Sequence, residues 1–223
     1  VPIIITEPAV GVGGGAALLF FHESKEDDSN RSLEKHEEDQ DQILSLPPSV
    51  SAAFGFATEN GSWGGGGFHF GSWKQDRWRY EGGLFYASFN LQFHGFGEEG
   101  AFDDYGVSYN IEGTYFLQNL KYRIGETDIF VGGKYDYLGS EVEFDFQRES
   151  GTVPNDQIDS SDAGLGLVST YDTRDNIFTP NRGSRIDLEA MFHDEGLGGD
   201  FNYQKYRAAA QTYWKAHPDL VLG

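Results

Sequence analysis

The chain contains no cysteine, and among its 223 residues there are only one methionine, seven prolines and sixteen lysines and arginines. Without cysteine there is no disulfide stapling, so stability must come from closure and packing of the fold itself. The sixteen cations stand against 36 acids, giving a net charge of -20. Such a chain lacks the basic patches that nucleic-acid binding needs, and suits a surface exposed to water and ions. No apolar run approaches the ~20 residues of a spanning helix. The longest, Ala16-Ala-Leu-Leu-Phe-Phe21, is far too short. A helical period of 3.6 is also missing, and only the charged stretch 31–45 is compatible with a helix. There is no G-x-S-x-G elbow, no H-E-x-x-H pair and no P-loop. His193-Asp194-Glu195 is one close cluster of titratable residues, but it sits at a strand end, where a solvated rim explains it. No catalytic residue, metal ligand or cofactor site is indicated.

What is abundant is aromatic and glycine residues: 12 Tyr, 18 Phe, 4 Trp and 30 Gly. They fall in two-residue alternations, the mark of strands with two unlike faces. Ile186, Leu188, Ala190 and Phe192 alternate with Arg185, Asp187, Glu189 and His193. Phe85, Phe89, Leu91 and Phe93 alternate with Ser88, Asn90, Gln92 and His94. Val142, Phe144 and Phe146 alternate with Glu141, Glu143 and Asp145. In 108–118 and 129–137 the pattern persists, with Phe116 and Phe130 as exceptions. The mean hydropathy of -0.50 is compatible with a barrel, which is polar on half its positions. The pattern predicts an all-β, antiparallel, up-and-down transmembrane β-barrel. Strands are expected at 9–21, 50–58, 63–73, 78–94, 107–122, 128–146, 162–172, 184–193 and 201–215, with another starting at 219. Phe85, Phe89, Leu91, Phe93, Val142, Phe144, Ile186 and Leu188 are expected to face lipid. Asn90, Gln92, Glu141, Glu143, Asp145, Asp187 and Glu189 are expected to face the lumen, where acids would tune ion selectivity or pair across strands. Trp73, Tyr171, Tyr203, Tyr206 and Trp214 should lie at the two membrane interfaces.

The segment Asp172-Thr-Arg-Asp-Asn-Ile-Phe-Thr-Pro180-Asn-Arg-Gly183 resembles the D-x-R-D-(x)4-P-x-x-G turn of the bacterial surface antigen family. This is the BamA/TamA-like superfamily of outer-membrane insertases and translocases. Ile5-Thr-Glu-Pro-Ala-Val-Gly-Val-Gly-Gly-Gly15 and Thr58-Glu-Asn-Gly-Ser-Trp63 resemble a branch of it. The resemblance implies a bacterial outer-membrane location and a barrel of about sixteen strands. Residues 1–223 are then expected to be one barrel domain, the N-terminal ~10 strands, incomplete at the C-terminus and open at both edges. The implied partners are outer-membrane lipid, client outer-membrane proteins and periplasmic proteins. In the turn itself, Asp172, Arg174 and Asp175 suit a charge-assisted network, Pro180 fixes φ, and Gly183 supplies a conformation that other residues resist.

Three functions are open at this point: handling protein or lipid at the outer membrane, a passive pore or structural barrel, and a soluble all-β binding protein. The acidic segment 23–47 has too few apolar residues to offset chain entropy, and is expected to be flexible or marginally helical. Limited proteolysis should therefore cut first within 24–40. Protection of that stretch without added divalent ions would contradict the reading.

Overall fold

A computed structural model describes residues 1–22, 49–93, 107–145, 157–217 and 220–223, with Phe93, Val107 and Asp145 described by backbone alone. The acidic segment 23–47, His94 and Phe146 lie outside the described residues, as does the Asp145 side chain. The described chain is eleven strands: β1 Pro2–Glu7, β2 Gly11–His22, β3 Ser49–Thr58, β4 Trp63–Trp73, β5 Trp78–Phe93, β6 Val107–Arg123, β7 Ile129–Asp145, β8 Gln157–Asp172, β9 Gly183–His193, β10 Tyr203–His217 and β11 Leu220–Leu222. They form one antiparallel sheet in chain order, and β1 and β11 do not pair with each other. The sheet is therefore open, as expected. No described helix is long and apolar enough to cross a membrane.

One strand was not expected. β1 pairs with β2 from Pro2↔Ala16 to Glu7↔Gly11. Its Ile3-Ile4-Ile5 run does not alternate, so periodicity alone gives no strand signal there. β8 also starts earlier than expected, because Asp159, Ser160 and Ser161 look like a loop by composition yet pair with Glu141, Ser140 and Gly139. His22 pairs with Ser49, so the acidic connection joins the sheet at the end that carries turns 74–77, 124–128 and 173–182. That end is called lower here, and the end of turns 8–10, 59–62 and 194–202 upper.

The ladders running from β5 to β9 contain no register shift. Residues opposite one another share a face, so the two faces can be traced strand by strand. One face carries Arg79, Lys121, Lys134, Asp187 and Glu189 and includes the two largest fully buried side chains, Phe130 and Met191. The ion pairs between strands that are not neighbours, Lys134–Glu189 and Arg79–Asp172, lie on this face, so it is the inner one. The other face carries exposed apolar residues, among them Leu84, Leu167, Leu188 and Tyr206.

Polarity inverts along the strands, and this corrects the expected faces. Phe85, Phe89, Leu91, Val142 and Phe144 lie on the inner face with Asp187 and Glu189, whereas Asn90, Gln92, Glu141 and Glu143 lie on the outer face with Ile186 and Leu188. The four described acids expected in the lumen, Glu141, Glu143, Asp187 and Glu189, therefore do not line one wall. Alternation was sound within each short stretch, but its phase changes partway along β5, β6, β7 and β8. Phe116 was not an irregularity, whereas Phe130 is one, an apolar residue on the polar lower inner face. Phe116 is an outer residue of the lower phase.

The upper inner face is aromatic and packs over glycine. Phe54 of β3 and Phe85 of β5 stack at 5.7 Å across Gly66 of β4. A Cβ on Gly66 would lie 2.6 Å from the Phe85 ring and 2.5 Å from the Leu84 carbonyl. Gly66→Ala should gain a few tenths of a kcal/mol to ~1 kcal/mol in strand propensity. It should lose more, ~1–3 kcal/mol, by overpacking. The measurement is the urea unfolding midpoint in detergent, and an unchanged or higher midpoint would refute the packing account.

Candidate functional site: the turn between β8 and β9

Turn 173–182 organises itself around side-chain oxygens. The Asn176 Oδ1 accepts the N–H groups of Phe178 at 2.8 Å and Thr179 at 2.9 Å. The Asp175 Oδ1 accepts those of Asn181 at 2.9 Å and Arg182 at 3.3 Å. Between these two pairs sits Pro180, the one residue with no N–H to satisfy. Burial alone would raise the Asp175 carboxyl, but the Asn181 and Arg182 amides and the Arg182 charge hold it below the usual carboxylate range. Its stabilising effect is thus present above the ordinary carboxylate pKa and lost as pH falls through the lowered one. Gly183 closes the turn at φ 102°, where a Cβ would overlap the Thr173 carbonyl.

Asp172, the last residue of β8, ties this turn to the inner wall. Arg174 grips it with both arms, Nε to Oδ1 at 2.8 Å and Nη2 to Oδ2 at 3.1 Å. The Arg174 Nη1 also donates to the Ile177 carbonyl at 3.1 Å. From β5, the Arg79 Nη1 donates to Asp172 Oδ2 at 2.7 Å. The same guanidinium makes a two-pronged bond to Asp76 in turn 74–77, at 2.7 and 2.6 Å. Asp76 also accepts from Ser72 Oγ and Arg123. Beneath them the Phe130 ring lies 3.9 Å from the Arg79 guanidinium and 4.9 Å from that of Arg123. Three guanidiniums thus meet two carboxylates and one aromatic face. Arg79 and Asp172 have side-chain exposures of 9 % and 2 %, so these bonds are shielded from water and salt.

Turn 74–77 carries strain. Lys74, Gln75 and Asp76 all have left-handed φ, at 52°, 56° and 60°. Non-glycine residues resist that region. The donors converging on Asp76 offset the cost. The turn between β8 and β9 also reaches across to Phe70 of β4, whose ring meets that of Phe178 edge-on at 6.0 Å. Phe68, Phe70, Arg79, Arg174, Ile177 and Phe178 surround a cavity of about 160 Å³.

The structure brings Asp172 and Arg174 together as one ion network. Asp175, Pro180 and Gly183 shape the turn beside it. Asp76, Arg79, Arg123 and Phe130 were not identified from the sequence, since they lie on other strands or, for Asp76, in another turn. The only signal was Phe130, which broke the alternation. Of the remaining acids, Asp187 pairs with Arg185 at 2.6 Å and accepts from Thr170 at 2.8 Å. Glu189 pairs with Lys134 at 3.0 Å. Glu141, on the outer face, accepts from Gln157 at 2.6 Å. His193 is no solvated rim residue: it is 6 % exposed, bonds Asp162 at 2.7 Å and stacks on Tyr203 at 4.1 Å. Tyr203 accordingly lies on the inner face rather than at an interface.

An up-and-down antiparallel sheet with an ion-paired inner wall and an apolar outer wall is the architecture of a transmembrane β-barrel. Residues 49–222 match the Omp85 superfamily domain. The chain belongs to the Omp85 superfamily. That membership places it, at the coarse level, among proteins of the outer-membrane insertion and translocation type. No curated protein and no solved structure matches the chain.

Asp172→Ala should leave Arg79 and Arg174 buried without their shared carboxylate, at ~3–5 kcal/mol. A double-mutant cycle with Arg79→Met, read by urea unfolding in detergent, should show strong coupling between the two sites. Additive single-variant effects would mean that the network does not hold the turn.

Proposed function

We propose that this chain is the wall of a bacterial outer-membrane barrel that handles protein or lipid, and that it does so without catalysing a covalent reaction. The observation that carries the reading is the turn between β8 and β9, drawn onto the inner wall by Arg79 within an Omp85 superfamily domain. A turn held inside the wall by a shielded ion network supplies a rigid inner feature against which a passing chain or lipid can be guided. Omp85 family members are generally non-enzymatic, which supports the non-catalytic part. Client outer-membrane proteins and periplasmic proteins are the partners this reading implies.

A second reading, a passive pore, is supported by the charges on the lower inner face, where Lys134 bridges Asp136 at 3.4 Å and Glu189 at 3.0 Å. Such charges set ion selectivity in a water-filled channel. The soluble all-β reading is disfavoured by the contiguous exposed apolar residues of the outer face.

Reconstitution into phospholipid vesicles separates the two membrane readings. Vesicles carrying the chain should speed the folding of an unfolded outer-membrane β-barrel client relative to empty vesicles. Ion conductance with no change in client folding would favour the pore. Leu188→Arg should weaken insertion of the chain itself by ~2–4 kcal/mol if the residue lies near the bilayer midplane.

A further inference from the structure

We infer that the bilayer covers only an oblique band of the outer face, and that β5–β8 rise above it into water. The inference rests on the membrane reading above and adds where lipid begins and ends.

An upper belt of outer-face aromatics can be followed along the ladders. Trp63 of β4 is opposite Ser88, with its ring 5.2 Å from that of Tyr86. Tyr137 of β7 is opposite Phe116, which is opposite Leu84. Phe192 traces back through Leu165, Tyr135 and Gln118 to Gly82. Tyr206 of β10 traces through Ala190, Leu167, Gly133 and Leu120 to Tyr80. From the rung of Ser88 to the rung of Tyr80, over the six steps from β4 to β10, the belt descends by about eight residues, or ~1.3 per strand. At ~3.3 Å per residue and ~4.8 Å per strand, that slope is ~40°. Barrel strands tilt by ~35–45°. A belt that is level in a membrane must cross the ladder at the strand tilt, and this one does.

A lower belt runs the same way. Trp73, Trp78 and Tyr122 share one rung, and the Trp78 and Tyr122 rings lie 4.8 Å apart. Trp214 lies about four residues below Ala210, which shares a rung with Ile186 and Tyr171. The belts are about eight residues apart on most strands, so the band is ~20 Å high at that tilt. This suits a thin bilayer.

Above the upper belt the outer face is wet. Glu112, Glu141 and Asp159 occupy one rung of three neighbouring strands. Their hydrogen-bond donors are hydroxyls and an amide: Tyr86 and Ser88 on Glu112, and Gln157 on Glu141 and Asp159. Three adjacent carboxylates held this way are untenable in hydrocarbon and acceptable in water. On the inner face of the next outward rung, Phe89, Ile111 and Val142 are opposite one another. The extension is thus polar outside and apolar inside, the reverse of the band below.

The native chain supplies the first test, because its four tryptophans, Trp63, Trp73, Trp78 and Trp214, all lie in the two belts. In phosphatidylcholine vesicles, lipids brominated near the headgroup should quench their emission several-fold more than lipids brominated near the chain end. The second test uses the absence of cysteine. Glu141→Cys and Asn90→Cys, each carrying a fluorophore, should be quenched by aqueous iodide and not by brominated lipid. Leu120→Cys and Leu167→Cys should show the reverse. Lipid quenching at Glu141→Cys and Asn90→Cys equal to that at Leu167→Cys would overturn the extension while keeping the membrane reading. Iodide quenching at all four sites would overturn both.

Discussion

The constraint on which the rest of this structure depends is the unbroken ladder from β5 to β9. A strand changes face at every residue, and each rung passes that choice to its neighbour. Arg79 facing inward therefore commits Lys121 to the inner face, and the same parity runs on through Lys134, Thr170 and Asp187. A slip of one residue in any ladder would turn a guanidinium or ammonium toward the apolar outer face. It would also turn Phe85 and Phe89 outward into the polar zone. The lower and upper halves of β5–β8 have opposite patterns, yet both reject the same slip. Register is therefore specified twice along each of these four strands.

On that frame, the two lower turns hold each other. Turn 74–77 places three successive non-glycine residues in the left-handed region, an arrangement that persists only when its surroundings over-determine it. Asp76 is the over-determined residue, since hydroxyl and guanidinium donors from β4, β5 and β6 converge on it. Arg79 then spans from Asp76 to Asp172, across to the end of β8. A planar guanidinium can serve two carboxylates and lie on an aromatic ring at once, whereas an ammonium is a point charge with none of that geometry. The Phe130 ring accepts part of the positive charge that the two carboxylates leave unmatched. Removing any one member leaves the others buried with fewer partners, so the cluster is better regarded as one unit than as a sum of pairs.

Much of the fold was legible in the sequence because the two-residue period is strong and the connections are marked by Gly, Pro and charge. Strands β2 to β10 fall close to their expected positions. The D-x-R-D turn is a local device, since Asp175 and Asn176 accept amides only a few residues away. The strand phase was not read correctly, although it was present. Tyr135 and Tyr137 are odd-numbered apolar residues of β7, and Val142 and Phe144 are even-numbered ones. Each stretch alternates, so each taken alone suggests the same lipid face, and only continuous counting through Leu138–Gly139–Ser140 exposes the inversion. The partners of Asp172 were illegible for a different reason. Arg79 lies 93 residues away, and nothing local distinguishes it from Arg77, which pairs with the exposed Glu126.

The two zones also differ in how they treat charge, and the dielectric explains why. On the lower inner face, cations are matched at contact distance: Lys121 with Glu81, Lys134 with Glu189, Arg185 with Asp187. These side chains are only 4 % to 35 % exposed, so an ion without a counterion would be costly there. On the upper outer face, Glu112, Glu141 and Asp159 stand on one rung with hydroxyl and amide donors. At water's dielectric constant, like charges a few ångströms apart repel by only ~1 kcal/mol, and solvent completes their hydrogen bonds. A chain with 36 acids and 16 cations cannot match every acid. Among the described residues, Arg79, Lys121, Arg123, Lys134 and Arg185 lie on the lower inner face, where mismatch is expensive, and Glu112, Glu141 and Asp159 lie where mismatch costs little. The same physics that makes the lower wall a fixed, ion-paired surface lets the upper wall stay acidic. The boundary between the two coincides with the aromatic belt that crosses the ladder at the strand tilt.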